Sequence, residues 1–549
     1  MAASSGHSEL LPQETEAQAT TGPASARELL HYPDHVVRCM LCDDPLRNVL
    51  RLPAKDALAA VANRGIRLYT RYSGIGMPEI VWHILQKQIF PHFGLSNEKF
   101  VTHEEAWDIK PTARRILMDL DGPVRPQHVF GDMMEGMLKG EVRNLVPLLA
   151  SDATDTSWTD LKSLMWEADQ RILRQNAHCY IHDRHCRFGP RVRCHRLLLC
   201  VAGITCKDFS RANRVRRGLL GPSGRVLLVF IMEVRQSRYD LVLTECTTGQ
   251  DLSPFEEFLS PMYHWFSWCW GPEDGGWMTH RPRRFCLFVL KHEFGGRCSF
   301  AGTPDMFKSV YQAERPSHLD GSMFAMSNAA GIEEALRQFG DAESRQHLQS
   351  TADRAGAWER AMSGSLHARL QLYRIAFLEA HGMDFNDMCR LSPGELRSLA
   401  RRMAALSSRP CLDKCCDLES SPAWRSSCGV AGMTTHLPTL THRNSWFWLL
   451  LDRCLTADEE LLSQGLCAST IDAAPSPIHA PWLSAWSELL ETEKKDLVGN
   501  TINGMVLMSV FAFLVRCLDL ELPEGSTFKP DIVSGREPGR PGKKQRQSS

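Results

Sequence analysis

The sequence predicts an α/β protein: a mostly parallel sheet with helices on both faces. Three observations carry that expectation. From Ile66 to Leu290, short apolar runs that read as buried strands alternate with stretches at helical spacing. Two of those runs break into glycine turns at their carboxyl ends, the alternating run from Ile66 at Gly74 and Gly76, and Leu197–Val201 at Gly203. The most apolar late run, Met505–Val515, is too short to span a bilayer, so no membrane role is expected.

Composition sets the outer bounds. A chain of 549 residues suggests about three or four compact units. With 63 Lys and Arg against 64 Asp and Glu the net charge is −1, so any nucleic-acid contact must come from local basic patches. The 19 cysteines are scattered and no secretory signal is visible, which points to reduced intracellular thiols.

Taken in order, residues 1–60 read as a disordered or irregular leader, its first thirty rich in Ala, Ser, Thr, Glu and Gln. Cys39-Met-Leu-Cys42 is a lone C-x-x-C and assigns no metal. An alternating strand then enters Tyr72-Ser-Gly-Ile-Gly76, with Pro78 suited to the first turn of the next helix. Such a turn lets backbone approach a nucleotide-like ligand closely. A second strand ends in His103-Glu-Glu-Ala-Trp-Asp108 and a third in Phe130-Gly-Asp132. Between Ala177 and His195, His178, Cys179, His182, His185, Cys186, Cys194 and His195 could supply zinc ligands. Their spacing matches no finger pattern, so the stretch reads as a basic loop and no metal is assigned.

Cys206 follows the strand ending near Gly203 and sits out on a turn. Alone it reads more readily as a small buried hydrophobe than as a nucleophile, although Lys207, Arg211 and Arg214 could supply the electropositive setting a reactive thiol needs. Val226–Val234 reads as a helix, Tyr239–Thr247 as a buried strand holding Glu245, Phe255–Trp270 as an aromatic helix, and Thr279–Leu290 as a further strand.

The ordered set of motifs resembles the cytosine carbon-5 DNA methyltransferases, as a divergent member. Tyr72-Ser-Gly-Ile-Gly76, Trp107-Asp108, Gly131-Asp132, Gly203-Ile-Thr-Cys-Lys-Asp-Phe-Ser210, Thr244-Glu-Cys-Thr247 and Arg281-Pro-Arg283 follow that family's order. So do Arg453-Cys-Leu-Thr-Ala-Asp-Glu with Gln464-Gly465, and Val498-Gly-Asn-Thr-Ile-Asn-Gly504. Thr205 and Lys207 depart from the family's Pro and Gln beside the nucleophile, Ala106 from its ribose-binding Glu, and Cys246 and Thr247 from its Asn and Val.

The resemblance implies a Rossmann-like methyltransferase fold that uses S-adenosyl-L-methionine and acts on DNA, with RNA as the alternative. It makes Cys206 the nucleophile and Glu245 the holder of the base, with Arg281 or Arg283 orienting both and Arg284 a competing choice for that role. It places the cofactor over Tyr72, Ser73, Gly74, Gly76 and Val226. Trp107 would stack on its adenine, Asp132 would bond the adenine amino group, and Asn500 and Thr501 would close the far side. Arg211, Arg214, Arg216 and Arg217 would cradle nucleic acid. The expected division is a catalytic core over 61–295, an insert over 296–440 where target recognition would lie, a return over 441–522 that completes the domain, and a basic tail over 523–549. That tail suggests a nuclear location.

Overall fold

The computed structural model describes residues 31–41, 50, 53–92, 100–134, 175–190, 195–210, 217–313, 324, 415–417, 437, 446–448, 453–468, 478 and 483–520. At its centre is a nine-stranded sheet. The strands are β1 (Ile66–Arg71), β2 (Val101–Trp107), β3 (His128–Phe130), β4 (Asn176–Cys179), β5 (Arg184–Arg187), β6 (Leu197–Gly203), β7 (Leu241–Thr247), β8 (Tyr263–Trp270) and β9 (Arg283–Leu290). Their order across the sheet is β5-β4-β3-β2-β1-β6-β7-β9-β8. β3, β2, β1, β6 and β7 run parallel, β9 lies antiparallel between β7 and β8, and the β4–β5 hairpin extends the edge beyond β3. The expected fold class is therefore the observed one.

β6 shows why these runs form a buried parallel sheet. Successive side chains of a strand point to opposite faces. Leu197, Leu199 and Val201 enter one apolar core, while Leu198, Cys200 and Ala202 enter the other. A strand covered on both faces reads as an unbroken apolar run, as this one does.

The first face carries α1 (Tyr32–Leu41), α2 (Ala54–Arg64), α3 (Met77–His92) and α4 (Pro111–Asp119). The second carries α5 (Pro222–Ser237) and α6 (Ser253–Phe258). α7 (Pro304–Tyr311), α8 (Ala457–Ser463), α9 (Leu483–Ser487), α10 (Glu491–Gly499) and α11 (Gly504–Cys517) return to the first. Every residue of α11 is buried, and its Phe511 stacks on Trp82 of α3 with ring centroids 4.4 Å apart. Glu491–Cys517 is long and apolar enough to cross a membrane by composition, yet 89% of its apolar window is buried inside the fold. It is the centre of the first core.

Several expectations are corrected here. The leader is not irregular throughout: Tyr32, Val36, Cys39 and Met40 recur at helical spacing, and α1 buries that stripe against α11. The aromatic helix over 255–270 is instead α6 followed by β8, whose Tyr, Trp and Phe residues suit a strand and pair antiparallel with β9. The basic loop after Ala177 is the β4–β5 hairpin. The boundary at 296 cuts packed structure, because Cys298, Phe307, Val310 and Tyr311 lie in the first core. Most of the remaining insert, and the whole of the 523–549 tail, lie outside the described residues.

Candidate active site

The chain leaves β1 toward β2 and β3 on one side, while β6 and β7 stand on the other. This reversal between β1 and β6 opens a crevice outside the carboxyl ends of the strands, where such sheets bind ligands. Three segments meet there: the turn after β1, the end of β6, and the turn between α10 and α11. Gly203 joins them, since an added Cβ would stand 3.3 Å from Ile502 Cδ1 and 3.5 Å from the Tyr72 carbonyl oxygen. That approach suits a residue with no side chain.

The turn after β1 has positive φ at Tyr72 (55°), Gly74 (57°) and Gly76 (81°). Ser73 N donates to the Trp107 carbonyl at 3.0 Å, and Trp107 N donates back to Ser73 Oγ at 3.2 Å. Gly74 N donates to Asp108 Oδ2 at 2.9 Å, and Lys110 N to Asp108 Oδ1 at 2.8 Å. Burial raises the Asp108 carboxyl above its usual range, opposed by those two backbone donors. The two glycines differ. A Cβ on Gly74 would meet nothing within 4 Å, whereas one on Gly76 would sit 3.0 Å from Leu120. Gly74 thus borders open space and Gly76 packs on α4. Tyr72 is pinned by its hydroxyl, which donates to the carbonyl of Val226 at 3.1 Å, so two residues far apart in sequence line one wall. Asp132 stands just past β3, half-buried, its Oδ1 accepting Met134 N at 2.8 Å.

The cofactor assignments do not all sit on that open space. Trp107 is fully buried, stacked on Phe130 at 4.5 Å and edge-on to Phe188 at 5.2 Å, so it has no uncovered face. The two carboxylates that precede Ala106 are also engaged. Glu104 pairs with Arg67 at 2.6 Å. Glu105 pairs at 3.2 Å with Arg71, which also contacts Glu233 at 2.9 Å and the Tyr239 hydroxyl at 2.9 Å. Asp108 is the acidic group the structure ties to the glycine turn.

Beyond β6 the chain rises to Cys206, partly exposed between exposed Thr205 and Lys207. Ile204 N donates to the Glu245 carbonyl at 2.8 Å, which sets the loop beside the end of β7. The Cys206 carbonyl accepts Phe209 N at 2.9 Å and Ser210 N at 2.8 Å, closing a tight turn. Asp208 Oδ2 then accepts Ser223 N at 2.7 Å, at the amino end of α5. A carboxylate there meets unpaired N–H groups and the positive end of the helix dipole. Burial pushes the Cys206 thiol above its ordinary 9.0, Arg283 works against that, and Glu245 adds to it.

Glu245 lies near the end of β7, almost buried, with Arg283 Nε 3.0 Å from its Oε1. Arg281 makes a different contact. Its Nη2 donates to the carbonyls of Gly499 at 3.2 Å and Thr501 at 2.8 Å. Arg283 thus faces the carboxylate, Arg281 grips the α10–α11 turn, and Arg284 Nη2 donates to the Thr248 carbonyl at 3.2 Å. In that turn Asn500 is exposed, while Thr501 is buried with its hydroxyl donating to the Leu497 carbonyl at 2.9 Å. Arg217 is exposed, and Arg211, Arg214 and Arg216 lie outside the described residues.

Asp208 and Asp108 both lie inside motifs that do not by themselves show what they hold: Asp108 holds the glycine turn and Asp208 the amino end of α5. Asp208 gives no local signal, because its partner Ser223 is fifteen residues away behind Pro222.

No protein-family model matches the chain, and neither does any curated protein sequence. Among solved structures it is similar to a chain described as a DNA modification methyltransferase encoded within a prophage (E. coli), at 14% identity and TM-score 0.39, covering 82% of this chain and 99% of that one. It is also similar to the S. pombe Dnmt2 methyltransferase, at 14% identity and TM-score 0.35, covering 82% and 98%. A Spodoptera frugiperda DNMT2 triple mutant shows 12% identity and TM-score 0.36, covering 82% and 99%. Likeness at this level carries no argument about activity, which has to come from the residues.

Proposed function

We propose that this chain methylates carbon-5 of cytosine in DNA, using S-adenosyl-L-methionine and a thioether between Cys206 and the base. One observation carries the reading: a thiol on the loop after β6, a carboxyl of β7 and a guanidinium of β9 converge beside an open glycine turn. The open face of Gly74, the Tyr72–Val226 wall and Asp108 fit a nucleoside-bearing cofactor, which Asp132 and Asn500 would help to hold. Bound there, S-adenosyl-L-methionine would supply an electrophilic methyl group.

The chain's own residues do the rest. Cys206 loses its proton and its sulfur adds to carbon-6, forming a C–S bond and shifting electron density to carbon-5. Glu245, beside Arg283, would accept from the amino group and donate its proton to ring nitrogen-3 as negative charge develops there, taking that proton back when the C–S bond breaks. After methylation carbon-5 gives up its proton to solvent base, the C–S bond breaks, and the thiolate is restored. Arg217 and its neighbours at 211–216 would steady the extruded base's backbone.

A binding-only reading is favoured by the setting of Cys206, where burial raises the thiol above its ordinary 9.0 and so disfavours the thiolate. DNA and RNA containing 5-fluorocytosine decide between them, tested in parallel with cofactor present. Fluorine cannot leave carbon-5 as a proton does, so an active thiol stays attached. We expect a denaturation-stable adduct with DNA. An adduct with RNA alone would move the substrate, and ligand and DNA binding without any adduct would leave the binding reading.

A further inference from the structure

We infer that the β3–β4–β5 edge of the sheet holds a tetrahedral zinc ion between His128, Cys179, His182 and Cys186. Ligand atoms of these four side chains all lie within 4.8 Å of one another. Cys179 Sγ is 3.7 Å from His128 Nδ1 and 3.3 Å from His182 Nδ1, and Cys186 Sγ is 3.6 Å from His182 Nδ1. With Zn–S of about 2.3 Å and Zn–N of about 2.05 Å, the S···N edge of a tetrahedron is about 3.6 Å. The three observed separations bracket that value. Two sulfurs and two imidazole nitrogens are a donor set that selects zinc over oxygen-loving cations.

The hairpin sorts the residues. Side chains alternate along β4 and β5, so Cys179 and Cys186 are buried while His178 and His185 face each other on the exposed side. Asp183 lies 3.7 Å from His178, on that outer side. Within the hairpin the set is Cys179-x-x-His182-x-x-x-Cys186, two buried cysteines and an exposed histidine on the turn between the strands. Its fourth member, His128, comes from β3, which is why spacing within the hairpin shows no finger pattern. Binding would release two thiol protons per ion and leave the cluster neutral, which suits its half-buried position.

The site also lies where backbone pairing is thin. β3 and β4 share one register pair, Phe130 with Cys179, and one further bond from Tyr180 N to the Val129 carbonyl at 2.8 Å. A metal joining His128 to Cys179 would close a loop of about fifty residues and staple the hairpin to the sheet. Gly131 rests against the Tyr180 ring, where an added Cβ would stand 3.3 Å away. The staple therefore steadies the strand end that presents Asp132.

The test uses the full chain purified without chelator. Elemental analysis should find about one zinc per chain, falling to near zero in Cys179→Ser/Cys186→Ser and staying unchanged in Cys269→Ser, at the exposed cysteine of β8. Cobalt exchanged into the wild-type protein should show the thiolate charge-transfer and intense visible bands of a tetrahedral S₂N₂ site. A readout on unmutated protein guards against misfolding of the double variant: iodoacetamide should spare Cys179 and Cys186 until a zinc chelator is added. Substoichiometric zinc, zinc retained by the double variant, labelling indifferent to chelator, or a Cys179–Cys186 disulfide found by peptide mass spectrometry would each overturn the site.

Discussion

The turn after β1 is bonded at Ser73 to the Trp107 carbonyl, at Gly74 to Asp108, and at Gly76 to the Ser73 carbonyl at 3.0 Å. The loop after β6 is held at its ends, by Ile204 on Glu245 and by Asp208 on Ser223, with Thr205 and Lys207 exposed between them. Both leave the same edge of the same sheet. The first is preorganised by the sheet itself, so a ligand need order little backbone on binding. The second places its sulfur through a carboxylate two residues further on. Substitutions in the two loops should therefore separate: the first should move ligand affinity, the second the covalent step.

The largest expected effect breaks the comparison at the sulfur. Cys206→Ser should lower adduct formation with 5-fluorocytosine DNA by at least about a thousandfold, since a hydroxyl is far less ionised than a thiol. Cofactor binding by calorimetry should stay within about twofold, because the thiol makes no part of the glycine turn. The wild-type rate should rise about tenfold per pH unit between pH 7 and 9, because the thiol titrates above 9.0 and only its thiolate adds. A flat profile would mean that the thiol is not the group ionising.

Trp107 sharpens the contrast from the other side. Were it an uncovered platform for adenine, Trp107→Ala would weaken the ligand and leave the fold intact. Buried between Phe130 and Phe188, it should instead cost about 3–5 kcal/mol of stability, read as a lower urea midpoint. Unchanged stability with weakened ligand binding would return it to the platform role.

Asp208→Ala tests the anchor. Removing a carboxylate that caps α5 should cost about 0.5–2 kcal/mol of stability. Released from that cap, the sulfur's position should wander, and a misplacement near 1 Å lowers reactivity by about a hundredfold. Cofactor affinity should hold, since Asp208 lies on the other loop. If adduct formation and affinity fell together, the two loops would be one unit.

The sheet was legible because its strands are apolar on both faces and its helices amphipathic, both of which are periodic along the chain. β6, β7, β9 and α5 lie close to where that periodicity puts them. β8 misled because an aromatic run has no period of its own, and its pairing with β9 decides the matter. Within the site, Gly74 and Gly76 could be read from local turn chemistry, but their opposite environments depend on Leu117 and Leu120 of another element. The burial of Glu105 depends on Arg71, Glu233 and Tyr239, spread over 168 residues. No local pattern carries such contacts. Trp107 shows the same limit, since a motif names the residue type and the packing around it decides which way the ring is covered.

Thr205→Pro is the smallest expected effect and the finest cut between the loops. Thr205 is exposed, and its N–H appears in no bond that ties the loop to β7, a task done by Ile204. A proline there removes no anchoring bond and narrows φ, which stabilises compatible sites by about 0.4–1 kcal/mol through the unfolded chain. It also biases Ile204 toward the extended backbone with which β6 ends. If freedom in the middle of the loop slows the sulfur, the proline should raise adduct formation by about two- to fivefold, on the scale of that free energy. Cofactor affinity and the urea slope m should stay unchanged. A slower rate with raised stability would mean that the loop must move to bring Cys206 to the base. A slower rate with lowered stability would mean that the backbone at 205 is incompatible with proline, leaving Asp208 as the whole of the loop's control.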